Sequence, residues 1–199
     1  MTDLERLLRR IAGDLDGHGA ASALVGGLAV SVRTEPRFTR DIDLAVAVSG
    51  DEEAEALVAA LSSQGWRVVE TLEHEAAGRL AAVRLAPTGD PDEGRVVDLL
   101  FASSGIEPEL VGAAEELEVL PGLRTNVART GHLIVLKALA SADDRPLDTA
   151  DLEALLERAD PAEIRLAREA AGMVVERGFA RGRDLVGDLE RLVADLGGP

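Results

Sequence analysis

Two aspartates, Asp41 and Asp43, stand two positions apart in residues 41–48, whose pattern predicts a strand. Side chains two positions apart leave the same face of a strand, so both carboxylates share one face, and Ile42 and Leu44 point to the other. Two like charges on a partly buried face repel each other unless a cation bridges them, and Mg²⁺ prefers oxygen ligands. The pair therefore predicts a magnesium site. A solvent-facing edge of the strand is the alternative.

A third acid, Asp98, lies inside residues 95–101, an otherwise apolar predicted strand. A carboxylate in such a strand is costly unless it is paired or bound to a metal. We predict that Asp98 is the third metal ligand. The alternative is a salt bridge from Asp98 to Arg84 or Arg95.

Gly26 and Gly27 lie between a predicted strand and a predicted helix that begins at Leu28. Without Cβ atoms, their backbone N–H groups can approach an anion, and a helix N-terminus adds positive potential. The pair predicts a phosphate-binding turn, with a plain tight turn as the alternative. Arg40, next to Asp41, is the best candidate for a further nucleotide contact. Arg33 and Arg37 fit ion pairs better.

Lys137 is the only lysine of the chain and lies in the apolar helical run 133–140. An unpaired ammonium there would be expensive, so we expect Lys137 to point into a polar cleft and to meet phosphate oxygens or an acid. The alternative is that the chain keeps a single lysine by chance and that Lys137 has no special role. Asp148 and Asp151 share one face of the next predicted helix, and Asp148 is a catalytic candidate. The alternatives are helix capping for Asp148 and a surface position for Asp151.

The composition limits the classes of function. The chain has 199 residues, 46% hydrophobic, and a net charge of −16, which repels a polyanion over most of the surface. Aromatic residues make up only 2%, too few for many base-stacking contacts. The absence of cysteine and of an N-terminal apolar run gives no sign of secretion or a membrane span, so we predict a cytoplasmic protein.

The predicted elements that position these residues change character along the chain. Residues 1–103 combine helical patterns with apolar or alternating strands, and after Ile106 helical patterns dominate. The sequence therefore predicts an α/β fold, with a mixed sheet flanked by helices in residues 1–103. Residues 104–199 are expected to form a mainly helical region that completes the active-site cleft. The predicted strands are 22–25, 41–48, 66–72, 79–85 and 95–101. The predicted helices include a first one that is capped by Thr2 or Asp3 and ends near 17–19, and then 51–63, 132–141, 149–159, 161–177 and 184–196.

The order of the glycine pair, the aspartate pair and a later strand aspartate resembles the nucleotidyltransferase superfamily that includes DNA polymerase beta and the aminoglycoside nucleotidyltransferases. The similarity covers about residues 22–102. It implies an NTP substrate, two Mg²⁺ ions held by Asp41 and Asp43, and a triphosphate bound by Gly26 and Gly27. Asp98 would hold one ion and help to activate the acceptor hydroxyl. Gly27 replaces a serine that is frequent in the superfamily.

The helix around Lys137, followed by Arg145, Asp148 and Asp151, resembles the AbiEii/AbiGii-type toxins, including the MenT-like enzymes. This resemblance implies a toxin of a toxin–antitoxin system that moves NMP from NTP to the 3′ ends of tRNA. It also implies a cognate antitoxin protein as partner, and a catalytic and nucleotide-binding role for Lys137. Leu147 stands where the family often has a basic residue.

Two other functions stay open from the sequence. A small-molecule nucleotidyltransferase of the aminoglycoside type would draw a cationic substrate to the acidic surface. A non-catalytic nucleotide-binding or antitoxin-like module would keep the fold without the reaction. A salt bridge that draws Asp98 away from Asp41 would favour the non-catalytic module.

Overall fold

The structure, a computed structural model, describes residues 3–36, 39, 41–74, 78–89, 95–140 and 146–195. Its helices are α1 (Asp3–Gly17), α2 (Gly26–Arg33), α3 (Asp51–Ser63), α4 (Glu107–Gly112), α5 (Thr130–Ala140), α6 (Pro146–Arg158), α7 (Pro161–Glu176) and α8 (Leu185–Asp195). Its strands are β1 (Ser22–Val25), β2 (Ile42–Val46), β3 (Trp66–His74), β4 (Arg79–Pro87), β5 (Val97–Leu100), β6 (Glu115–Leu120) and β7 (Leu123–Val127). None of the helices in the described ranges is long and apolar enough to cross a membrane.

The strands form one mixed sheet of seven, in the order β3-β4-β5-β2-β1-β7-β6. β2 is parallel to β5 and β1 is parallel to β7, while the other neighbours are antiparallel. Helices pack against this sheet, so the predicted α/β fold with a mixed sheet and flanking helices is confirmed. The parallel β2–β5 pair lies in the middle of the sheet and carries the aspartates.

The alternation in β2 places its apolar side chains in the core. Ile42 and Leu44 are buried, whereas Asp43 between them keeps partial exposure. Leu8, Ile11 and Leu15 recur on one face of α1 and are fully buried, so this helix packs on the core as its periodicity predicts. The apolar face of β2 thus anchors the strand and leaves the opposite face for its carboxylate.

The hairpin of β6 and β7 is absent from the sequence prediction, which has mainly helices after Ile106. β6 contains Glu115, Glu116 and Glu118, so it lacks the apolar run that marks a strand, and it lies at the edge of the sheet. β7 pairs in parallel with β1 through Leu24 and Val127. The second half of the chain therefore adds two strands to the sheet, and the domain division at 103/104 stays a prediction.

Two local boundaries also differ from the prediction. Gly26 and Gly27 are the first residues of α2 and not a separate turn, and β2 begins at Ile42, so Asp41 lies just before the strand. Gly26 has a φ of +63°, which a residue with a side chain rarely adopts. This conformation lets the chain pass from β1 into α2 without a loop.

Candidate active site

A cavity of about 410 Å³ opens where β1, β2 and β5 meet the helices of the second half of the chain. Its lining combines three carboxylates from the strand side, a Lys–Asp pair from the helices, two arginines, two serines and the glycine pair. The polar lining residues are Gly26, Gly27, Asp41, Asp43, Arg84, Asp98, Ser103, Ser104, Lys137, Asp148 and Arg181.

Asp41, Asp43 and Asp98 form what we call the carboxylate wall of this cavity. Parallel pairing of β2 with β5 sets Asp43 directly opposite Asp98, and Asp41 precedes Asp43 by two residues. Directly paired strand residues have neighbouring side chains on the same face of the sheet. The sheet register thus brings together Asp43 and Asp98, and Asp41 lines the same cavity from the residue just before β2.

Gly26, just after the end of the neighbouring strand β1, leaves space for the Asp43 carboxylate. A Cβ atom added to Gly26 would overlap the Asp43 carboxylate, and Val25 pairs with Asp43 across β1 and β2. The position is therefore reserved for glycine by close approach as well as by its positive φ. Because Val25 supplies no side-chain cap to α2, its first N–H groups have no capping side chain. The start of α2 and the Asp43 carboxylate line the cavity side by side.

The carboxylate wall raises the pKa of Asp43 to about 6. Burial is the main cause, and the negative charges of Asp98 and then Asp41 add to it, against smaller opposing contributions from Lys137 and Arg84. A buried carboxylate beside other carboxylates favours a proton or a cation at its oxygens. The electrostatics of the wall are therefore those of a cation-binding site.

Asp98 has a partner in this structure. Arg84 of β4 donates from Nε to Asp98 Oδ1 and from Nη2 to Asp98 Oδ2, both at 2.8 Å. Arg84 Nη1 lies 3.5 Å from Glu70 Oε2, whereas Arg95 pairs with Asp3. The alternative prediction of an Arg84 salt bridge is therefore present, yet Asp98 stays beside Asp43 and lines the same cavity as Asp41.

Lys137, Asp148 and Asp151 form what we call the helical wall. The Lys137 Nζ atom of α5 lies 2.7 Å from Asp148 Oδ1 and 2.8 Å from Asp151 Oδ2 of α6. Asp151 is only 4% exposed, so a surface position for this acid is wrong. Asp148 lies inside α6 and bonds to Lys137, so the capping alternative does not account for it. The lysine thus bonds to two acids, of which Asp148 lines the cavity.

The remaining candidates lie elsewhere or outside the described residues. Arg40, the expected nucleotide contact, and Arg37 fall outside the ranges that the structure describes. Arg33 pairs with Glu115 at 2.7 Å, in line with the ion-pair interpretation. His132 is buried in α5, and burial lowers its pKa to about 4, so it is neutral at pH 7 and packs in the core.

The sequence does not mark four polar residues of the cavity lining as parts of the site. These are Ser103, Ser104, Arg181 and Arg84, the last of which is predicted only as a possible salt-bridge partner of Asp98. The two serines follow β5 and are held by the buried Glu107, whose Oε1 accepts hydrogen bonds from both backbone N–H groups and both hydroxyls. The spacing of Ser104 from Glu107 resembles that of a helix-capping box, although α4 begins at Glu107 itself and has Ile106 as its N-cap. It gives no sign that the serines line a cavity.

The carboxylate wall suits magnesium by its donor set. In the described part of the chain, no group of three His, Asp or Glu side chains is already close enough together to hold a metal ion. Both oxygens of Asp98 face Arg84 instead. The raised pKa of Asp43 and its hard oxygen donors nevertheless fit a divalent cation at this wall. Asp41 and Asp43 would hold it, and Asp98 would join after exchange from Arg84.

Solved structures similar to this one are nucleotidyltransferase folds. An antigenic nucleotidyltransferase-like protein from Paracoccidioides brasiliensis aligns with a TM-score of 0.55 and 16% identity, over 96% of this chain and 92% of that one. ANT(2'')-Ia, in complex with adenylyl-2''-tobramycin, aligns with a TM-score of 0.51 and 19% identity, over 98% of both chains. At such identities the likeness concerns the fold.

The family assignment comes from the sequence. No curated protein sequence matches the chain. The family model of the nucleotidyl transferase AbiEii toxin of type IV toxin–antitoxin systems matches residues 6–193, nearly the whole chain. The chain therefore belongs to the AbiEii nucleotidyltransferase toxin family.

Proposed function

We propose that this protein is a magnesium-dependent nucleotidyltransferase that moves NMP from NTP to a hydroxyl acceptor, with the 3′ end of tRNA as the acceptor. In this proposal it is the toxin of a toxin–antitoxin pair and has a cognate antitoxin protein. Membership of the AbiEii family supports the reaction class and the toxin–antitoxin setting. The observation that carries the reaction is the carboxylate wall against Gly26 in one cavity.

The start of α2 binds the triphosphate in this account. Its first N–H groups have no side-chain cap, and the helix dipole adds positive potential next to Asp43. Lys137 lies across the same cavity, where its ammonium contributes to the potential at Asp43. A phosphate oxygen would compete with Asp148 for Lys137, while the buried Asp151 keeps the lysine in place.

The carboxylate wall serves the transfer step. Bound at Asp41, Asp43 and Asp98, two Mg²⁺ ions would polarise the α-phosphate and stabilise the attacking and leaving oxygens. Asp98 accepts the proton of the acceptor hydroxyl, whose oxygen bonds to the α-phosphorus as the bond to the leaving pyrophosphate breaks. Arg84 can release Asp98 because Glu70 offers it a second carboxylate at 3.5 Å.

A small-molecule acceptor is the second candidate function. The net charge of −16 favours a cationic substrate over a polyanion, whereas the 3′ end of an RNA needs only a local basic patch. The Arg84–Asp98 pair is the observation that favours a non-catalytic module, since it occupies one proposed metal ligand. One assay separates these three functions.

The assay incubates the protein and Mg²⁺ with each of the four α-labelled NTPs and a whole-cell extract, then resolves RNA, protein and small molecules. Asp41→Ala is the test variant, and Asp16→Ala is the matched control because Asp16 is an exposed acid of α1 away from the cavity. We expect label in a tRNA-sized band that Asp41→Ala abolishes and Asp16→Ala leaves intact. Label confined to a small molecule would favour the second candidate. NTP binding without any transfer would contradict the enzyme.

A further inference from the structure

Arg181 lies in the segment between α7 and α8 and lines the cavity. Its guanidinium donates from Nη2 to the backbone carbonyl oxygen of Ser103, at 3.2 Å. The structure records no carboxylate within ion-pair distance of Arg181 among the residues it describes. Nearby Arg177 pairs with Glu109, and Arg183 pairs with Asp188. Arg67 and Arg165 are also exposed arginines without an acidic partner among the described residues, but of the three only Arg181 lines the cavity.

The other described cations of the cavity already have acidic partners. Arg84 is shared by Asp98 and Glu70, and Lys137 is shared by Asp148 and Asp151. Arg181 thus differs from both in having only a neutral carbonyl contact. A guanidinium with one bond to a carbonyl keeps most of its donors for a ligand, and phosphate matches its fork geometry.

The backbone at Arg181 is strained. Its φ is +55°, and Arg181 is the one residue other than glycine with a positive φ in the described ranges. Gly178 and Gly182, on either side, also have positive φ, so this segment uses glycine where the backbone requires it. A side chain in this region costs free energy, and such outliers concentrate at functional sites. The long side chain of Arg181 is therefore kept at a position that favours glycine.

The contact of Arg181 with Ser103 rests on a rigid support. The buried Glu107 accepts four hydrogen bonds from Ser103 and Ser104 at distances of 2.8 to 3.1 Å. This network fixes the Ser103 carbonyl that receives the Arg181 guanidinium. The network therefore orders the acceptor of the Arg181 hydrogen bond, while Arg181 itself is exposed to solvent at the cavity wall.

Arg181 reaches the cavity from a different part of the chain than the carboxylate wall. It lies in the segment between α7 and α8, whereas the wall is formed at β2 and β5. Its hydrogen-bond partner Ser103 comes five residues after Asp98, beyond the end of β5 at Leu100. The NTP phosphates belong at the wall and at the start of α2, so an anion at Arg181 comes from another part of the bound substrates.

We propose that Arg181 binds a backbone phosphate of a nucleic-acid acceptor and so directs an RNA end towards the carboxylate wall. This inference rests on the proposed function, because it names the acceptor chemistry of the same cavity. A cationic small molecule offers no anionic group to Arg181 and is repelled by its charge, so the residue discriminates between the two acceptor classes. In an acidic protein, such a single phosphate contact guides an RNA end without a broad basic surface.

The test measures two equilibria with the full chain. Fluorescence anisotropy follows binding of a short single-stranded RNA with a free 3′ hydroxyl, at several salt concentrations, and a fluorescent NTP analogue is titrated separately. The variants are Arg181→Gln, Arg181→Lys and Arg181→Gly. Arg165→Gln is the matched control, because Arg165 is an exposed arginine of α7 outside the cavity and its loss changes the net charge equally. Thermal unfolding of each variant reports on folding.

We expect Arg181→Gln to weaken RNA binding about 10-fold and to reduce the slope of log K against log salt by about 0.7, as for one lost phosphate contact. Arg181→Lys should retain part of the affinity, and Arg165→Gln and NTP binding should be unchanged. Arg181→Gly should lose RNA affinity without a lower Tm, because glycine relieves the strained backbone. If Arg181 had a purely structural role, the Arg181→Gly substitution would instead lower the Tm.

Three results would overturn the inference. Unchanged RNA affinity in Arg181→Gln would do so, and so would a loss confined to the NTP analogue, which would place Arg181 on the triphosphate. Failure of the unchanged protein to bind RNA, together with label transfer to a small molecule, would overturn this inference and leave nucleotidyl transfer intact. Failure of all label transfer, by contrast, contradicts the proposed function itself.

Discussion

The two walls of the cavity both bring several carboxylates close together, but they differ in how far the chain itself compensates the negative charge. The carboxylate wall brings Asp43 next to Asp98 and Asp41, and burial and charge raise the pKa of Asp43 to about 6. The helical wall brings Asp148 and Asp151 to one ammonium, Lys137, within 2.8 Å. One wall keeps an excess of negative charge, whereas the other comes closer to balance within the chain.

This difference in charge compensation distinguishes a wall that binds a ligand, the carboxylate wall, from a wall that stabilises the fold, the helical wall. Arg84 is the one described cation bonded to the carboxylate wall, and it bonds to Asp98, so it leaves the charge of Asp43 uncompensated by a direct partner among the described residues. Uncompensated buried charge costs stability unless a ligand supplies the missing charge. We therefore expect substitutions in the carboxylate wall to abolish transfer while preserving the fold, and substitutions of Lys137 to weaken the fold itself.

The largest expected effect is on the reaction. Asp43→Asn removes a metal-binding oxygen charge, so transfer from NTP should fall by about 10³-fold. Label incorporation per unit time measures this loss, with Asp16→Asn as the control for removing one acid. An Asp43→Asn protein that keeps most of its transfer rate would contradict the assignment of the carboxylate wall.

Lys137→Met probes the helical wall. The variant leaves Asp148 and the buried Asp151 without their shared cation, and we expect the free energy of unfolding to fall by about 4 kcal/mol. Urea unfolding measures the change. The triple variant Lys137→Met, Asp148→Asn, Asp151→Asn should regain most of that loss. No recovery would show that Lys137 stabilises the fold by packing and not by charge.

Asp43→Asn should also change stability, and the size of this change should depend on pH. The folded-state pKa of Asp43 is raised to about 6 from 3.8, so the folded state binds the extra proton between these values, and stability falls as the pH rises through this window. At pH values well above 6, the ionised Asp43 lowers the free energy of unfolding by its full amount, about 3 kcal/mol. Asp43→Asn should therefore stabilise the metal-free protein at pH 8 and have little effect at pH 4.

Urea unfolding of the wild-type and Asp43→Asn proteins across this pH range measures the difference. A gain of equal size at pH 4 and pH 8 would show that the effect comes from packing. A loss of stability at pH 8 would contradict the raised pKa.

Gly26→Ala gives the smallest of these effects on stability. Its Cβ atom would meet the Asp43 carboxylate at a positive φ, so we expect a loss of about 2 kcal/mol, together with slower transfer as Asp43 shifts. Gly13→Ala is the control, because Gly13 lies in α1 with open space around its Cβ position and alanine favours a helix. If the Gly26→Ala protein is as stable and active as the wild type, Asp43 does not require a glycine at this position.

The sequence predicts those parts of the site that depend on local pattern. Alternation in residues 41–48 is sufficient to predict that Ile42 and Leu44 are buried opposite Asp43, and the acid inside an apolar strand is sufficient to single out Asp98. Pairing between distant segments was not predictable in this way. The Arg181 contact spans 78 positions to Ser103, and the acidic strand β6 has no apolar pattern to mark it. The partner of Asp98 could be narrowed to Arg84 or Arg95, and only the sheet register separates them.

The central claim is that the carboxylate wall binds a divalent cation together with NTP. Titration of Mn²⁺, as a paramagnetic substitute for Mg²⁺, by electron paramagnetic resonance in the presence of a non-hydrolysable NTP analogue measures this binding directly. We predict binding by the wild-type and Asp16→Asn proteins and at least about 10-fold weaker binding by Asp43→Asn. Equal Mn²⁺ affinity in Asp43→Asn and wild type would contradict the claim.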